Sequence, residues 1–329
     1  MKRSGLLTVV MLILVNGCAS AQEPPPPVRL ICLPAVPLPV LIAKAEGFFA
    51  REGVEVVAEK AADAVSLRAA LSSHTADIAH ASVENAVVAA TSGGTDAVIV
   101  VGGEDSTSEL IVQPSIRTVQ DLRGKIVILD GEDTAYTLLL KKILLRNRIR
   151  PGVDCQMKVI GLAPDRLAAM RQHPEYAATV QKPPTSILSE QAGLRSLGST
   201  GSLSGMGKFQ GIGGFVLRPW ARDHTPQLES YLAAFVEAQR WMMDPAHRDQ
   251  VVALIMSQSH TPHDIAEQTY DVGLQQAWNP DARFDPAGFR NVLALDRESA
   301  APAAAQPEPD TFYDLSWYRN ALNRADRYK

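Results

Sequence analysis

Residues 28–217 repeat one arrangement: a short apolar run, a loop, then apolar positions three and four apart. Val28, Leu30 and Cys32 form the first run and read as a strand. Pro34, Pro37 and Pro39 keep the following loop extended. Leu38, Leu41, Ile42 and Ala45 then fall at i, i+3, i+4 and i+7, one face of a helix. Gly47 and Gly53 are placed to end helical segments, because glycine takes positive φ without strain. Val54, Val56 and Val57 open the next strand. The pattern predicts a βαβ unit. Its first loop, Pro34 to Pro37, lies at a strand's carboxyl end, where open α/β sheets bind ligands.

The same reading continues along the chain. Asp63 is placed to cap a helix bearing Leu67, Ala70 and Leu71, and Asp77 to Ala81 is a short strand. Ser82 is predicted to cap a helix running to Thr91. Ala97 to Val101 lacks alternation, the pattern of a buried parallel strand, and Glu104 and Asp105 stand at its end. Glu109 to Val112 is a further strand. Thr118 and Asp121, spaced as in a capping box, open a second cycle. It holds the strand Ile126 to Leu129, a polar turn from Asp130 to Thr134, and a helix face of Tyr136, Leu140, Ile143 and Leu144. Met157 to Ile160 and Ala177 to Val180 read as strands around a helix opened by Pro164 and Asp165. Gly198 to Gly214, rich in Gly and Ser, reads as a mobile loop, and Gly214 to Leu217 as a returning strand. Beyond it Thr225-Pro226, Asp244-Pro245, Thr261-Pro262 and Asp285-Pro286 each set a cap residue before proline, which predicts a helical last third. Ser299 to Pro309 reads as an Ala/Pro linker and Phe312 to Tyr328 as a final helix.

Length and composition narrow the class. A chain of 329 residues with 46% hydrophobic and 21% charged residues is globular and long enough for two lobes. A net charge of −4 without a basic stripe argues against nucleic acid as a partner. Lys2 and Arg3 followed by the apolar run Leu6 to Val15 form a signal peptide, too short to span a bilayer as a stable helix. Its end, Val15-Asn16-Gly17-Cys18, resembles a bacterial lipoprotein box, in which the cysteine is lipidated and becomes the N-terminus. Ordinary cleavage near Ala19 to Ala21 is the alternative. Gln22 to Pro27 is a stiff polyproline spacer suited to a tether. Of the three cysteines, Cys32 and Cys155 remain, placed in different lobes and expected as buried free thiols. No clustered-cysteine pattern for zinc or iron–sulfur occurs.

Two βαβ-rich cycles with a returning strand describe a bilobed α/β protein. Four segments carry a family likeness: Pro39 to Phe49 followed by Glu52 to Val56; Ala70-Leu71; Ala76 to Ala79; and Asp121 to Lys125. On these the chain resembles the periplasmic substrate-binding proteins of ABC importers, in the branch serving alkanesulfonates, nitrate, aromatic acids and thiamine precursors. It departs from that pattern at Ser73-His74, where the family usually has Gly, and at Glu175 to Ala178, which replaces a Gly-x-Val-Asp-Ala element. The resemblance implies a type II-like Venus flytrap: two mixed sheets flanked by helices, with a helical C-terminal third. The divisions expected are a signal peptide over 1–18, a tether over 19–27, lobe 1 over 28–112 and lobe 2 over 113–213. A return to lobe 1 with C-terminal helices follows over 214–298, then the linker and terminal helix over 299–329. Hinges are expected near Leu110 to Pro114 and Gly213 to Leu217, and closure is a population shift driven by ligand.

The implied function is that of a monomeric, membrane-anchored lipoprotein on the periplasmic or cell-surface side. It would capture a small polar molecule between its lobes and hand it to an ABC permease, with no cofactor, metal or catalytic residue. The expected ligand-lining residues are Pro34, Val36, Pro37, Ser82, Glu84, Asn85, Glu104, Asp105, Asp130, Gly131, Glu132, Thr134, Gln181 and Phe209. Helix starts at Ser82 and Thr134 favour anions. The carboxylates of Glu84, Glu104, Asp105, Asp130, Glu132 and Asp133 oppose them, which suits a heterocycle or amine better than an organic acid. Two other classes stay open: a non-transport lipoprotein acting as sensor or scaffold, and a thiamine-precursor-synthase-like enzyme. The iron-linked cysteine cluster of the latter is missing here, the histidines of this chain are scattered, and no Gly-x-Ser-x-Gly elbow exists.

Overall fold

A computed structural model describes residues 25–132, 134–299 and 308–328. The signal peptide, Cys18, most of the tether, Asp133 and most of the Ala/Pro linker lie outside the described residues. In chain order the first half runs β1 (Val28–Cys32), α1 (Leu38–Ala45), α2 (Phe48–Arg51), β2 (Val56–Lys60), α3 (Ala64–Ser72), β3 (Ile78–Ser82), α4 (Glu84–Thr91), β4 (Ala97–Asp105) and β5 (Glu109–Val112). It continues through β6 (Ile126–Leu129), α5 (Ala135–Arg146), β7 (Gln156–Val159), α6 (Ala163–Gln172), β8 (Tyr176–Gln181), α7 (Thr185–Gln191), β9 (Arg195–Ser199), α8 (Thr200–Ser204) and β10 (Gln210–Leu217). The remainder is helical: α9 (Arg218–Asp223), α10 (Thr225–Met243), α11 (Arg248–Ser259), α12 (His263–Val272), α13 (Pro286–Ser299) and α14 (Ser316–Ala325).

Two five-stranded mixed sheets form the lobes, ordered β2-β1-β3-β10-β4 and β7-β6-β8-β5-β9. In the first, β1 runs parallel to β2 and β3, and β10 lies antiparallel to β3 and β4. The second repeats the plan: β6 is parallel to β7 and β8, and β5 is antiparallel to β8 and β9. The antiparallel strand in each fourth position is thus the one that carries the chain between lobes. The crossings fall at residues 106–108 and 205–209, tied by the Ser106 N–H donating to the Phe209 carbonyl at 3.1 Å. This corrects the expected hinges. Leu110 to Val112 belongs to the second sheet and Gly213 to Leu217 to the first, so both are ladder-bound. It also moves the lobe boundaries from 112 and 213 to these crossings.

Local chemistry explains most element ends. Asp63 and Ser66 form a reciprocal capping box at α3, and Thr118 with Asp121 does the same for a 3₁₀ turn. Gly47 and Gly53 take φ of 75° and 69°. Among the Thr/Asp-Pro pairs, Asp244 and Asp285 accept from backbone N–H groups two residues on. Thr225 instead donates to the Ala221 carbonyl at 2.9 Å, because α9 runs into α10 and leaves no open end to cap. Helix α1 buries Pro39, Val40, Ile42 and Ala43 while Ala45 is exposed, so its buried face is broader and shifted from the expected one. Sheet and α10 both cover it. The stretch expected as a mobile loop is ordered into β9, α8 and the start of β10, with Gly198 taking positive φ near the end of β9 and Gly205 where α8 ends.

The largest apolar core lies under the first sheet, where Tyr231, Leu232 and Phe235 of α10 meet Val28, Leu30 and Ile78. Trp317 and Tyr318 of α14 complete it, so the terminal helix is a core element. A second cluster joins the lobes: Val87 of α4, Leu138 and Leu139 of α5, and Val292 and Leu295 of α13 pack together with Phe209 and Phe289. Cys32 and Cys155 are buried free thiols, one in each lobe.

Candidate functional site

The cleft lies where the carboxyl ends of the parallel strands in the two sheets face each other. Each side is built from a strand-to-helix connection. In lobe 1, β3 ends at Ser82 and α4 begins at Glu84. Ser82 does not cap α4: its hydroxyl donates to the Glu84 carboxylate, and Val83 stands at the cap position with no side-chain bond. In lobe 2, β6 ends at Leu129 and α5 begins at Ala135. Thr134 caps α5 by accepting from the Thr137 N–H at 3.2 Å. Asp130 Oδ1 takes three donors, the Gly131 N–H at 3.1 Å and the hydroxyls of Thr134 at 2.6 Å and Thr137 at 3.2 Å. The Asp130 to Thr134 turn therefore folds its own carboxylate back over its helix start.

The two sides touch through charge. The Glu84 carboxylate lies against the first turn of α5, near the Ala135 N–H and close to Asp130. Burial raises its pKa and Asp130 raises it further, while Ser82 and the backbone N–H groups of Glu84 and Ala135 pull the other way. Nearer the hinges, Lys182 at the end of β8 is ion-paired with Glu104 at the end of β4. Burial opposes the Lys182 charge, and Glu104 with Tyr136 more than offsets it, so its pKa is raised. Tyr136 sits among Lys182, Glu104, Glu84 and Asp130, and burial raises its pKa. Arg166, 4% exposed, stands behind Asp130. It donates to Thr179 Oγ1 at 2.9 Å and to the Val180 carbonyl at 3.0 Å. Between α4, α5 and α13 a void of about 10 Å³ lies beside Glu84. That is at the lower limit for one water.

The other residues singled out from sequence are distributed as follows. Pro34 is exposed; Val36 and Pro37 are half-buried, and the Val36 carbonyl accepts from Gln258 of α11. Asn85 is buried, accepting from Arg68 at 2.6 Å and donating to the Ser82 carbonyl at 3.1 Å, so it holds α3 to α4. Asp105 pairs with Lys208 at 3.6 Å at the second crossing, and burial raises its pKa. The Gly131 carbonyl accepts from Thr137, and exposed Glu132 offers its carbonyl to Lys141 at 3.1 Å. Gln181 is 2% exposed and turned into lobe 2, accepting from Ser189 at 2.6 Å. Phe209, also 2% exposed, is part of the cluster that joins the lobes. Of these residues, Glu84 lies near Asp130 and Glu104 pairs with Lys182 across the cleft, whereas Ser82 and Thr134 bond within their own turns. Asn85, Gln181 and Phe209 face packed interior.

Tyr136 and Arg166 are not among the cleft residues expected from sequence; Lys182 lies in the loop from Gln181 to Pro183 that is expected to line the cleft, though it is not named there individually. Strand alternation held the clue for Lys182: with Gln181 turned inward, its neighbour at the strand end turns to the other side. By its spacing Tyr136 reads as part of the core face of α5, and its position over the cleft depends on how close the lobes come. Among the described residues no group of His, Cys, Asp and Glu is arranged to hold a metal ion. Among them no helix is long and apolar enough to cross a membrane.

Comparison with known proteins gives the same architecture. Residues 36–151 match the family model described as NMT1/THI5 like. No curated protein sequence matches the chain. The periplasmic nitrate-binding protein NrtA from Synechocystis PCC 6803 superposes with a TM-score of 0.71 at 15% identity, covering 90% of this chain and 88% of its own. The periplasmic aliphatic sulphonate binding protein SsuA from Escherichia coli gives 0.63 at 21% identity over 75% of this chain and 79% of its own. The desulfurization enzyme DSZB gives 0.64 at 15% identity over 90% and 99%. Residues 36–151 therefore carry an NMT1/THI5-like domain, set in a chain with the two-lobed fold of the periplasmic binding proteins.

Proposed function

We propose that the protein is a solute-binding lipoprotein of an ABC importer. It takes a small polar organic molecule between its lobes and delivers it to a membrane permease. The observation that carries this reading is the paired site: strand-to-helix connections from both lobes converge on one cleft, with only two crossings joining the lobes. Such an arrangement binds by closing, since a solute touching both walls favours the shut state by the contacts made only there. The walls offer the carboxylates of Glu84, Glu104 and Asp130, with Lys182 as the cation among them, which supports a heterocycle or amine before an organic acid. Cys18 supplies the lipid anchor, and Gln22 to Pro27 the spacer that holds the lobes off the membrane. The reading is of a receptor rather than of an enzyme such as the desulfurization enzyme DSZB, whose fold this chain shares.

The test is a thermal-shift screen of the purified protein against sulfonates, carboxylates, pyrimidines and amines. A cognate solute raises the melting temperature with concentration by mass action. A panel without a stabilising member refutes the receptor reading. Labelled palmitate incorporation that survives Cys18→Ala refutes the anchor. A second reading, a sensor or scaffold that kept the fold, is favoured by one observation: Glu104 of lobe 1 and Lys182 of lobe 2 are ion-paired with each other across the cleft.

A further inference from the structure

Lobe 2 carries an outer face that the cleft does not use. Of the large apolar side chains exposed among the described residues, Leu145, Val153, Val159 and Leu162 all fall within 145–162, and Val153, at 69%, is the most exposed. Leu145 lies in the last turn of α5, Val153 in the turn before β7, and Val159 at the end of β7, the edge strand of its sheet. The first three share one side of the lobe. Leu145, Pro151 and Met157 line a single groove of about 290 Å³, which ties α5, the turn and β7 together. Val153 stands on the same turn as Pro151. Val159, two residues on from Met157, faces the same side of the strand.

Charge concentrates on the same stretch. From Lys141 to Val159 the chain carries six basic residues and one acidic residue, Asp154, although its net charge is −4. Lys141 borders the groove and donates to the Glu132 carbonyl at 3.1 Å, a neutral acceptor that leaves its charge in place. Arg148 and Arg150 are exposed at the start of the turn that carries Val153. Asp154 is matched twice, by Arg150 at 2.9 Å and by Arg123 at 3.3 Å, so it does not cancel the surplus. Lys158 turns to the other face of β7, onto the Tyr176 hydroxyl.

This combination selects a partner. Protein interfaces draw their binding energy from buried aromatic and arginine anchors, and the exposed apolar tips here are aliphatic. Aliphatic tips set among long cations match the boundary of a bilayer, where the tips enter the acyl region and the cations stay at the phosphates. We propose that this face docks on an anionic phospholipid surface, with Leu145 and Val153 inserted and Lys141 and Arg148 at the level of the phosphates. The carboxyl end of α5 and the turn before β7 lie at the end of lobe 2 away from the strand ends that form the cleft, so docking leaves the cleft uncovered. The proposal needs neither a lipid on Cys18 nor a solute, so it stands or falls apart from the receptor reading.

The test is vesicle sedimentation of residues 19–329 without lipid, a chain that holds every element described above and lacks the apolar signal segment. It should sediment with vesicles of phosphatidylglycerol and phosphatidylcholine, stay in solution with phosphatidylcholine alone, and be released at about 1 M salt, where the Debye length is about 3 Å. Lys141→Gln and Arg148→Gln should each weaken binding about fivefold, the scale of one cation near an anionic surface. Val153→Asp should weaken it at least as much, with an unchanged melting temperature because the side chain is exposed. A second measurement places the contact. A polarity-sensitive dye on Leu145→Cys should brighten and shift to the blue on the anionic vesicles, and the same dye on Ala62→Cys, exposed beyond β2 in lobe 1, should not; Cys32 and Cys155 are buried. No sedimentation with the anionic vesicles, equal sedimentation with phosphatidylcholine alone, or an equal dye response at position 62 overturns the proposal. Sedimentation with protein-bearing native membranes but not with protein-free vesicles would assign the face to a protein partner and overturn it too.

Discussion

Replacing His80 should remove a defined part of the acid sensitivity of lobe 1. His80 is the central residue of β3, 1% exposed, between Tyr231 and Phe235 of α10. Its Nε2 lies 2.9 Å from the Tyr231 hydroxyl, and among the described residues Nδ1 has no hydrogen-bond partner. No carboxylate is near enough to favour a proton, so burial alone lowers its pKa from 6.5 to about 3. Above pH 6.5 neither the folded nor the unfolded state holds the extra proton, and His80 gives no pH dependence. As pH falls below 6.5 the unfolded imidazole takes the proton and the folded one refuses it. Stability is then lost at about 1.4 kcal/mol per pH unit until about pH 3. Between pH 7.5 and pH 5 the loss from this residue is about 2 kcal/mol. Neighbouring Tyr231 and Cys32 have pKa values pushed upward by burial, the thiol to about 12, so neither titrates in the window. Buried carboxyls with raised pKa values, Glu84, Asp105 and Glu109, act with the opposite sign, but they cancel in a comparison of two proteins that share them. The assay is guanidinium unfolding of wild type and His80→Gln at pH 7.5 and pH 5, followed by tryptophan fluorescence. All four tryptophans, Trp220, Trp241, Trp278 and Trp317, pack on the first-sheet core, so the signal reports the lobe that holds His80. Wild type should lose about 2 kcal/mol more than the variant over this interval. Equal losses would refute the assignment of a buried, neutral imidazole.

Three further outcomes follow from packing. Tyr231→Phe removes the partner of His80 and should cost about 1–3 kcal/mol by chemical unfolding, without altering the lobe separation. Gly102→Ala places a methyl 2.5 Å from the Arg283 carbonyl carbon and 2.7 Å from the Phe284 nitrogen. That backbone has no rotamer to yield, so the midpoint should fall by about 1–3 kcal/mol or more, and an unchanged midpoint would disprove this approach of β4 to the α13 lead-in. Phe209→Ala should cost about 3–5 kcal/mol in stability, because the ring is 2% exposed in the cluster that joins the lobes. If it instead weakened solute binding at unchanged stability, Phe209 would line the cleft and the packing described for it would be wrong.

The sequence alone determined most of the elements and their order, though not β9 and α8, which lie where it read a loop. Alternating apolar runs and three-and-four spacings are local, and so are the Asp63 and Thr118 caps and the glycines at 47 and 53; each needs only its neighbours to act. The bilobed α/β plan followed from their repetition. The tertiary structure decided what no local signal holds. Strand partners did: β5 and β10 each lie in the sheet of the other half of the chain, which moved the hinges to 106–108 and 205–209. Side-chain direction at strand ends did, turning Gln181 inward and Lys182 toward Glu104. The distance between the lobes did above all. Glu84, Glu104 and Asp130 are legible as carboxylates at loop ends, but a carboxylate's partner depends on what approaches it. Here Ser82 and the α5 helix start meet Glu84, and Lys182 meets Glu104, because the two walls are closed on each other.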